Sequence, residues 1–281
     1  MSVATTPTPA VSRSRLVRAG LIAVAVAYVA ALLLAPLAGI IWTVVKGGLH
    51  VITQTLSAHD VLHSYLLTII IAVITVVVTA VFGVPLALVL TRERFPGRGL
   101  VSALVNLPLA VSPVIVGLMA VLLFGRTGWF EPFFAARGIQ IIFALPSMVL
   151  VTIFICLPFV VREVAPVLEE LGTEEEDAAR TLGASGLQTF FRVTLPNIRW
   201  GLLYGVALSA ARALGEIGAV LIVSGAIQGQ TETATLYILR AIEERQDAAG
   251  YLVALTLAAA SVLLLMGIEV FKRKRMKEIG R

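Results

Sequence analysis

The sequence has 281 residues, of which 58% are hydrophobic and only 14% are charged. This number of charged side chains is too small to cover the surface of a soluble domain of this length. The composition therefore indicates a membrane protein. The net charge of +5 is compatible with nucleic-acid binding, but the basic residues flank apolar runs and form no face interleaved with aromatic side chains. We therefore expect a lipid bilayer and no nucleic acid as partner.

Residues 1–18 begin with an uncharged stretch rich in Thr, Pro and Ser and are predicted to form a disordered tail. The apolar run that follows is longer than that of a cleaved signal peptide and indicates an uncleaved membrane helix. The next loop holds all three histidines, at positions 50, 59 and 63. His59 and His63, with Asp60 beside them, have a spacing compatible with metal ligation, but His50 is the one further ligand nearby, and no metal site is predicted.

Six apolar runs each reach the roughly 20 residues that a helix needs to cross a bilayer. The sequence therefore predicts an all-α membrane protein whose transmembrane domain, 19–270, has six helices, at about 19–45, 64–90, 100–124, 140–161, 200–223 and 250–270. The fourth helix is expected to begin near Pro146 and to end near Pro158. Residues 271–281 form a basic tail.

The third helix contains Pro108 and Pro113, with Asn106 and Ser112 beside them. Proline removes a backbone donor and biases the preceding residue away from helix, so a kink or break is expected here. Two interpretations stay open. The kink serves helix packing only, or the helix that restarts after Pro113 directs free N–H groups towards a cavity that holds an anion.

Between the fourth and fifth helices lies a polar segment, 162–199. Thr173 and Glu176 have the spacing of a capping box, which predicts a helix from Glu174 to about Leu182. Gly183 allows the turn into a second helix, 187–192, and Pro196 is expected to end this element.

The fifth helix carries Arg212 and Glu216, four residues apart on one helical face. A charge at the centre of a bilayer costs about 3 kcal/mol, so such residues face a cavity or each other. Spacing favours a structural ion pair, and the alternative is that Arg212 attracts a negatively charged substrate.

The distribution of basic residues predicts the orientation. With the N-terminus inside, 16 of the 22 Lys and Arg residues fall on the inner side and 5 on the outer side. This asymmetry predicts that both termini and the segment 162–199 are cytoplasmic.

The polar segment resembles the coupling loop of ABC importer permeases, whose pattern is Glu-Ala-Ala, three residues, Gly, nine residues, Ile-x-Leu-Pro. Here Asp177, Ala178, Ala179 and Gly183 match at the same spacing, and Val193-Thr194-Leu195-Pro196 closes the pattern, with Asp for Glu and Val for Ile. We call residues 162–199 the coupling loop. The resemblance implies that a separate ATPase subunit binds its part 173–199, and the residues assigned to coupling are Glu176, Asp177, Ala178, Ala179, Gly183, Leu195 and Pro196.

Three further stretches resemble sulfate and molybdate permeases. Residues 213–219 are similar to the pattern Ala-Leu/Met-Gly-Glu-Phe-Gly-Ala, with Ile217 in place of Phe. Residues 106–113 are similar to the pattern Asn/Asp-Leu-Pro-Phe-Ala-Val-Ser-Pro, with Leu109 in place of Phe. Residues 223–225 and 229–233 resemble the CysW type of sulfate subunit in particular. The candidates for the translocation pathway or gate are Asn106, Ser112, Pro113, Ser209, Arg212 and Glu216.

This resemblance implies a multi-pass permease subunit of the inner (cell) membrane, which moves sulfate or thiosulfate inward by alternating access. Its implied partners are a second, homologous permease subunit in a heterodimer, two ATPase subunits and an extracytoplasmic sulfate-binding protein. The chain has no Gly-x4-Gly-Lys-Ser/Thr motif, so ATP and Mg are expected on the ATPase, with no cofactor on this chain.

Three alternatives remain. A molybdate or tungstate permease is the nearest, and a homodimeric assembly would favour it. A passive channel or scaffold would not explain the spacing of the coupling loop. An intramembrane enzyme needs an acid and a base, and since an arginine stays protonated, Arg212 and Glu216 do not provide them. No catalytic residue is predicted.

Overall fold

The computed structural model describes the backbone of residues 11–279 and the side chains of residues 17–270. Every regular element in that part of the chain is helical. In chain order the elements are α1 Val11–Ser57, α2 His59–Arg92, α3 Arg98–Ala110, α4 Pro113–Phe124, α5 Glu131–Ala135, α6 Leu145–Leu171, α7 Glu174–Thr181, α8 Gly186–Thr189, a π-helical turn Phe190–Thr194, α9 Leu195–Leu214, α10 Gly218–Ser224, α11 Ala234–Glu243 and α12 Asp247–Ile279.

Four helices of the described part are long and apolar enough to cross a membrane, namely α1, α2, α6 and α12. Two bent helix pairs are also long and apolar enough when taken together, α3 with α4 at 113° and α9 with α10 at 55°. The predicted all-α membrane fold is confirmed, and the predicted number of six crossings is reached when each bent pair counts as one.

The first helix is longer than predicted. It begins at Val11, so residues 11–18 of the predicted tail are helical, while residues 1–10 lie outside the described part. At the other end α1 continues to Ser57 through a break at Gly48, which has a φ of 76°. The predicted basic tail from 271 is helical as far as Ile279.

The predicted break in the third helix is present. Helix α3 ends at Ala110, and Val111 and Ser112 have extended backbone angles before α4 starts at Pro113. Proline at the first position of a helix loses no hydrogen bond there, because that N–H has no partner within the helix. The inner proline, Pro108, stays within α3.

Two expected helix ends were wrong. Helix α6 starts at Leu145 but continues through Pro158 and Pro166 to Leu171. A membrane helix tolerates proline where neighbouring helices pack around it, and Pro158 is buried in this way. Pro196 does not end the second coupling helix either. It lies in the first turn of α9, and the helical path runs on from Gly186 to Leu214.

Helix α6 lies at the centre of the bundle and contacts α2, α3, α4, α9 and α10. Glycines allow the close approach of its neighbours. A β-carbon on Gly83 of α2 would lie 2.9 Å from the side chain of Val160, and one on Gly201 of α9 would lie 2.8 Å from the carbonyl oxygen of Glu163. Small residues at such contacts are typical of helix packing in membranes.

Candidate functional site

The coupling loop folds as two short helices around a glycine turn. Helix α7 ends beside Gly183, which has a φ of 89°, in the left-handed region that favours glycine. The Gly183 N–H donates to the carbonyl of Arg180, and the Ala184 N–H donates to that of Ala179, which closes the helix end. Ser185 then starts α8 with a capping box to Gln188.

The predicted capping box at Thr173 is wrong. Thr173 makes no capping hydrogen bond through its side chain, and its φ of −110° and ψ of −3° are not the extended angles of a capping residue. Glu176 turns inward. The Glu176 carboxylate accepts a 2.9 Å hydrogen bond from the hydroxyl of Thr194 and lies 3.5 Å from the guanidinium of Arg92. Arg92 also donates to the carbonyl of Gly172. We call Arg92, Gly172, Glu176 and Thr194 the Glu176 cluster. It joins the end of α2, the start of α7 and the π-helical turn.

The other matched residues of the motif face outward. Asp177 and Ala178 are exposed, and the carboxylate of Asp177 lies 3.5 Å from the guanidinium of Arg180. Pro196 is exposed, while Ala179 and Leu195 are half-buried. Large apolar side chains lie on the same loop without cover, with Leu182 90%, Leu187 73% and Phe191 61% exposed. The loop therefore combines an internal anchor with an uncovered apolar surface.

Arg212 and Glu216 form an ion pair, with 2.7 Å between a guanidinium nitrogen and the carboxylate. The second carboxylate oxygen accepts a 2.8 Å hydrogen bond from the N–H of Ala219, at the start of α10. Glu216 thus supplies both the partner of Arg212 and a cap for the restarted helix. Its side chain is 2% exposed, whereas that of Arg212 is 31% exposed.

The break between α9 and α10, at residues 215–217, was not predicted. The signal that could have found it is the pair of glycines around Glu216, because glycine weakens a helix and a carboxylate caps one. The two broken helices meet. A β-carbon on Gly218 would lie 3.0 Å from that of Pro113, and one on Gly117 would lie 2.8 Å from the carbonyl oxygen of Ala219.

The remaining pathway candidates lie in different places. Ser112 is exposed in the break before α4. Ser209 is fully buried, where its hydroxyl is 3.2 Å from that of Thr79 on α2, so it belongs to the packing between helices. Asn106 lines a cavity between α3 and α6, on the end of the bundle that carries the coupling loop. The structure thus brings Pro113 towards the Arg212–Glu216 region and leaves Asn106 and Ser209 apart from it.

A buried ion pair at the end of the bundle opposite the coupling loop was not predicted from the sequence. Glu232 is 1% exposed, and both of its oxygens accept hydrogen bonds from Arg240 of α11, at 2.7 and 3.0 Å. This hydrogen bonding to a carboxylate raises the pKa of Arg240 above its ordinary range, against the lowering by partial burial. The pair fixes the segment before α11 to that helix. The partners are eight positions apart, and Glu232 lies before the start of α11, so helical periodicity does not predict their contact.

No group of three or more His, Cys, Asp or Glu side chains that could hold a metal ion occurs in the described residues.

Comparisons with known proteins place this geometry in a family. The family model described as "binding-protein-dependent transport system inner membrane component" matches residues 81–274, which contain both broken helices and the coupling loop. The chain belongs to this family of multi-pass membrane permeases, whose members are translocating subunits without catalytic activity.

Individual relatives cover nearly the whole chain. It is 46% identical over 254 residues to the sulfate transport system permease protein CysW of Synechocystis, which covers 90% of this chain and 92% of that protein. It is 37% identical to the sulfate transport system permease protein CysT of Salmonella typhimurium, over 88% of this chain and 89% of that protein. Among solved structures, a chain of a bacterial alginate ABC transporter, crystallised with an alginate-bound periplasmic protein, matches with a TM-score of 0.77 at 16% identity, over 95% of this chain and 97% of that one. This last likeness concerns the fold.

Proposed function

We propose that this chain is the translocating subunit of an ATP-driven importer that moves sulfate or thiosulfate into the cytoplasm by alternating access. The observation that carries the proposal is the contact between the two broken helices at Pro113 and Gly218, because these breaks lie in the two segments that resemble sulfate permeases. The relatives named as sulfate permeases, CysW and CysT, support sulfate over molybdate as the cargo.

The charged pair beside the breaks suits an anionic cargo. Glu216 is held by Arg212 and by the N–H of Ala219, so it is fixed in place. The guanidinium of Arg212 keeps part of its surface free, with 31% of the side chain exposed. Arg212 therefore contributes a positive potential for the cargo or for a gate, and Glu216 holds it in position.

The coupling loop receives the force. The exposed apolar side chains of Leu182, Leu187 and Phe191 fit a groove on a soluble partner, where large uncovered apolar surfaces mark interaction sites. The partner is an ATPase subunit on the cytoplasmic side, where the excess of Lys and Arg predicts this loop to lie. The Glu176 cluster transmits the movement of α7 to α2 and α9.

The complete transporter comprises this chain, a second homologous permease, two ATPase subunits and an extracytoplasmic sulfate-binding protein. A relative named CysW and one named CysT align with this chain at 46% and 37% identity, which supports a heterodimer of two related permeases. ATP and Mg bind to the ATPase subunits, because this chain has no phosphate-binding loop.

Competition for uptake tests the cargo. Proteoliposomes with the complete complex are given radiolabelled sulfate together with an excess of unlabelled sulfate, thiosulfate or molybdate. We expect sulfate and thiosulfate to suppress uptake of the label and molybdate to suppress it much less. Equal suppression by molybdate and sulfate would contradict the assignment.

A further inference from the structure

A cavity of about 530 Å³ lies between α3 and α6, at the end of the bundle that carries the coupling loop. The lining residues are Arg98, Ser102, Asn106, Leu109 and Ala110 on α3, Val161, Arg162, Ala165, Pro166 and Glu169 on α6, and Leu90 and Thr91 at the end of α2. Its α6 side exists because that helix continues beyond Pro158. The cavity is separate from the contact between the two broken helices.

The charges in the cavity favour an anion. Arg98 and Arg162 both line it, and neither guanidinium has a hydrogen bond or ion pair with any side chain or carbonyl of the described residues. Glu169 is the one carboxylate in the lining, so the cavity has an excess of positive charge. A guanidinium offers a planar fork of N–H donors that matches two oxygens of a phosphate or sulfate group.

Asn106 lies in the same cavity and can hold a guanidinium there. Its amide nitrogen donates a 2.8 Å hydrogen bond to the carbonyl of Ser102, while its amide oxygen is buried and accepts no hydrogen bond in the described part of the chain. This oxygen is an acceptor, so it does not bind an anion itself, but it can accept from a guanidinium that turns into the cavity.

We propose that this cavity, the α3–α6 cavity, is a binding site for a tetrahedral oxyanion. Arg98 and Arg162 bind the oxyanion from the two walls, the hydroxyl of Ser102 donates a further hydrogen bond, and a guanidinium turned inward also supplies the donor that the oxygen of Asn106 lacks. The oxyanion is either free in solution or the phosphate of an anionic lipid headgroup. At about 30 Å³ per water molecule, the cavity has room for either one with part of its hydration shell.

The lining does not include Pro113 or Gly218, where the two broken helices meet, and occupancy of the site is measured without transport. The complete complex is placed in nanodiscs of phosphatidylcholine, without ATP and without the external binding protein. Binding of radiolabelled sulfate is measured at equilibrium for the wild type, for Arg98→Gln, for Arg162→Gln and for Arg98→Lys. Arg94→Gln serves as the matched control, because Arg94 is exposed between α2 and α3 and does not line the cavity.

We expect Arg98→Gln and Arg162→Gln each to weaken sulfate binding about tenfold, because each removes a charge-assisted hydrogen bond. Arg98→Lys should weaken it less, and Arg94→Gln should leave it unchanged. Both arginines are exposed, so these variants keep the fold, and size-exclusion profiles like that of the wild type verify this.

A second arm identifies the source of the oxyanion. The measurement is repeated with phosphatidylglycerol in the nanodiscs, and the lipid that copurifies is quantified. Sulfate binding that resists phosphatidylglycerol assigns the site to a free oxyanion. Phosphatidylglycerol that displaces sulfate, and is retained less by the Arg98 and Arg162 variants, assigns it to a headgroup. If neither sulfate binding nor lipid retention changes in those two variants relative to Arg94→Gln, the proposal is wrong. Sulfate uptake with ATP in the same preparations remains a separate readout of the proposed function.

Discussion

The hydroxyl of Thr194 donates a 2.9 Å hydrogen bond to the buried carboxylate of Glu176. Arg92 approaches the same carboxylate oxygen from the end of α2, at 3.5 Å. The first coupling helix is therefore linked to α2 and to the helical path that becomes α9, and both of these helices pack against α6. In this account a displacement of α7 moves the bundle instead of only bending the loop.

Replacement of Glu176 tests this link. Glu176→Ala removes the acceptor of Thr194 and the partner of Arg92, and leaving such groups unpaired costs about 1–3 kcal/mol. We expect ATP-driven uptake to fall several-fold while ATP hydrolysis falls less, because the two processes become uncoupled. Glu176→Gln should have a smaller effect, since its oxygen still accepts from Thr194.

The matched control is Glu174→Ala, which removes an exposed carboxylate from the same helix. Uptake and hydrolysis are measured in one preparation of proteoliposomes for all three variants. If Glu176→Ala behaves like Glu174→Ala, the Glu176 cluster does not transmit movement.

The backbone at Gly183 gives a second prediction. Its φ of 89° is strained for a branched side chain, although a β-carbon there would meet no atom within 4 Å. Gly183→Val should therefore impair uptake through the shape of the turn, whereas Gly183→Asn should keep most of it, because asparagine tolerates this region. Equal uptake by both variants, measured at equal amounts of inserted complex, would show that the turn is not required for coupling.

Exchange of the charges of Arg212 and Glu216 gives a third prediction. The double variant Arg212→Glu/Glu216→Arg keeps an ion pair on the same helical face, but it removes the carboxylate that caps the N–H of Ala219. We expect the double variant to be inactive in sulfate uptake, and we expect Glu216→Gln to be less impaired, because its amide oxygen can still accept from the N–H of Ala219. Restoration of uptake by the exchange would mean that the charge pair alone matters.

The ion pair of Glu232 and Arg240 should stabilise the end of the bundle opposite the coupling loop. Removing one partner of a buried pair leaves the other charge unpaired. Because Arg240 is 26% exposed, we expect the free energy of unfolding to fall by about 2 kcal/mol, which is less than for a fully buried pair. Glu232→Gln and Arg240→Gln should each lower the melting temperature of the purified complex. The double variant should lose less stability than the sum of the losses in the two single variants. Strict additivity would contradict a direct interaction.

Residue patterns predicted those features that depend on local chemistry. Apolar length predicted the crossings, proline predicted the break at Pro113, and glycine predicted the turn at Gly183. Spacing also predicted the ion pair between Arg212 and Glu216. These features could be predicted because each is determined by residues within one or two helical turns.

Features that depend on distant packing could not be predicted in this way. Pro158 lies within α6 because neighbouring helices surround it, and Pro196 starts a helix instead of ending one. Glu176 fits a capping box by spacing, but Thr194 and Arg92, far away in the sequence, hold its carboxylate. The cavity beside Asn106 depends on the same unbroken α6.

The most direct test of the account is ATP-dependent uptake of sulfate. Proteoliposomes that contain this chain with its permease, ATPase and binding-protein partners are supplied with external radiolabelled sulfate, and internal ATP is replaced by a non-hydrolysable analogue in a parallel sample. We predict that sulfate accumulates inside with ATP and does not accumulate with the analogue. Equal sulfate entry in both samples would contradict the account and would favour a passive channel.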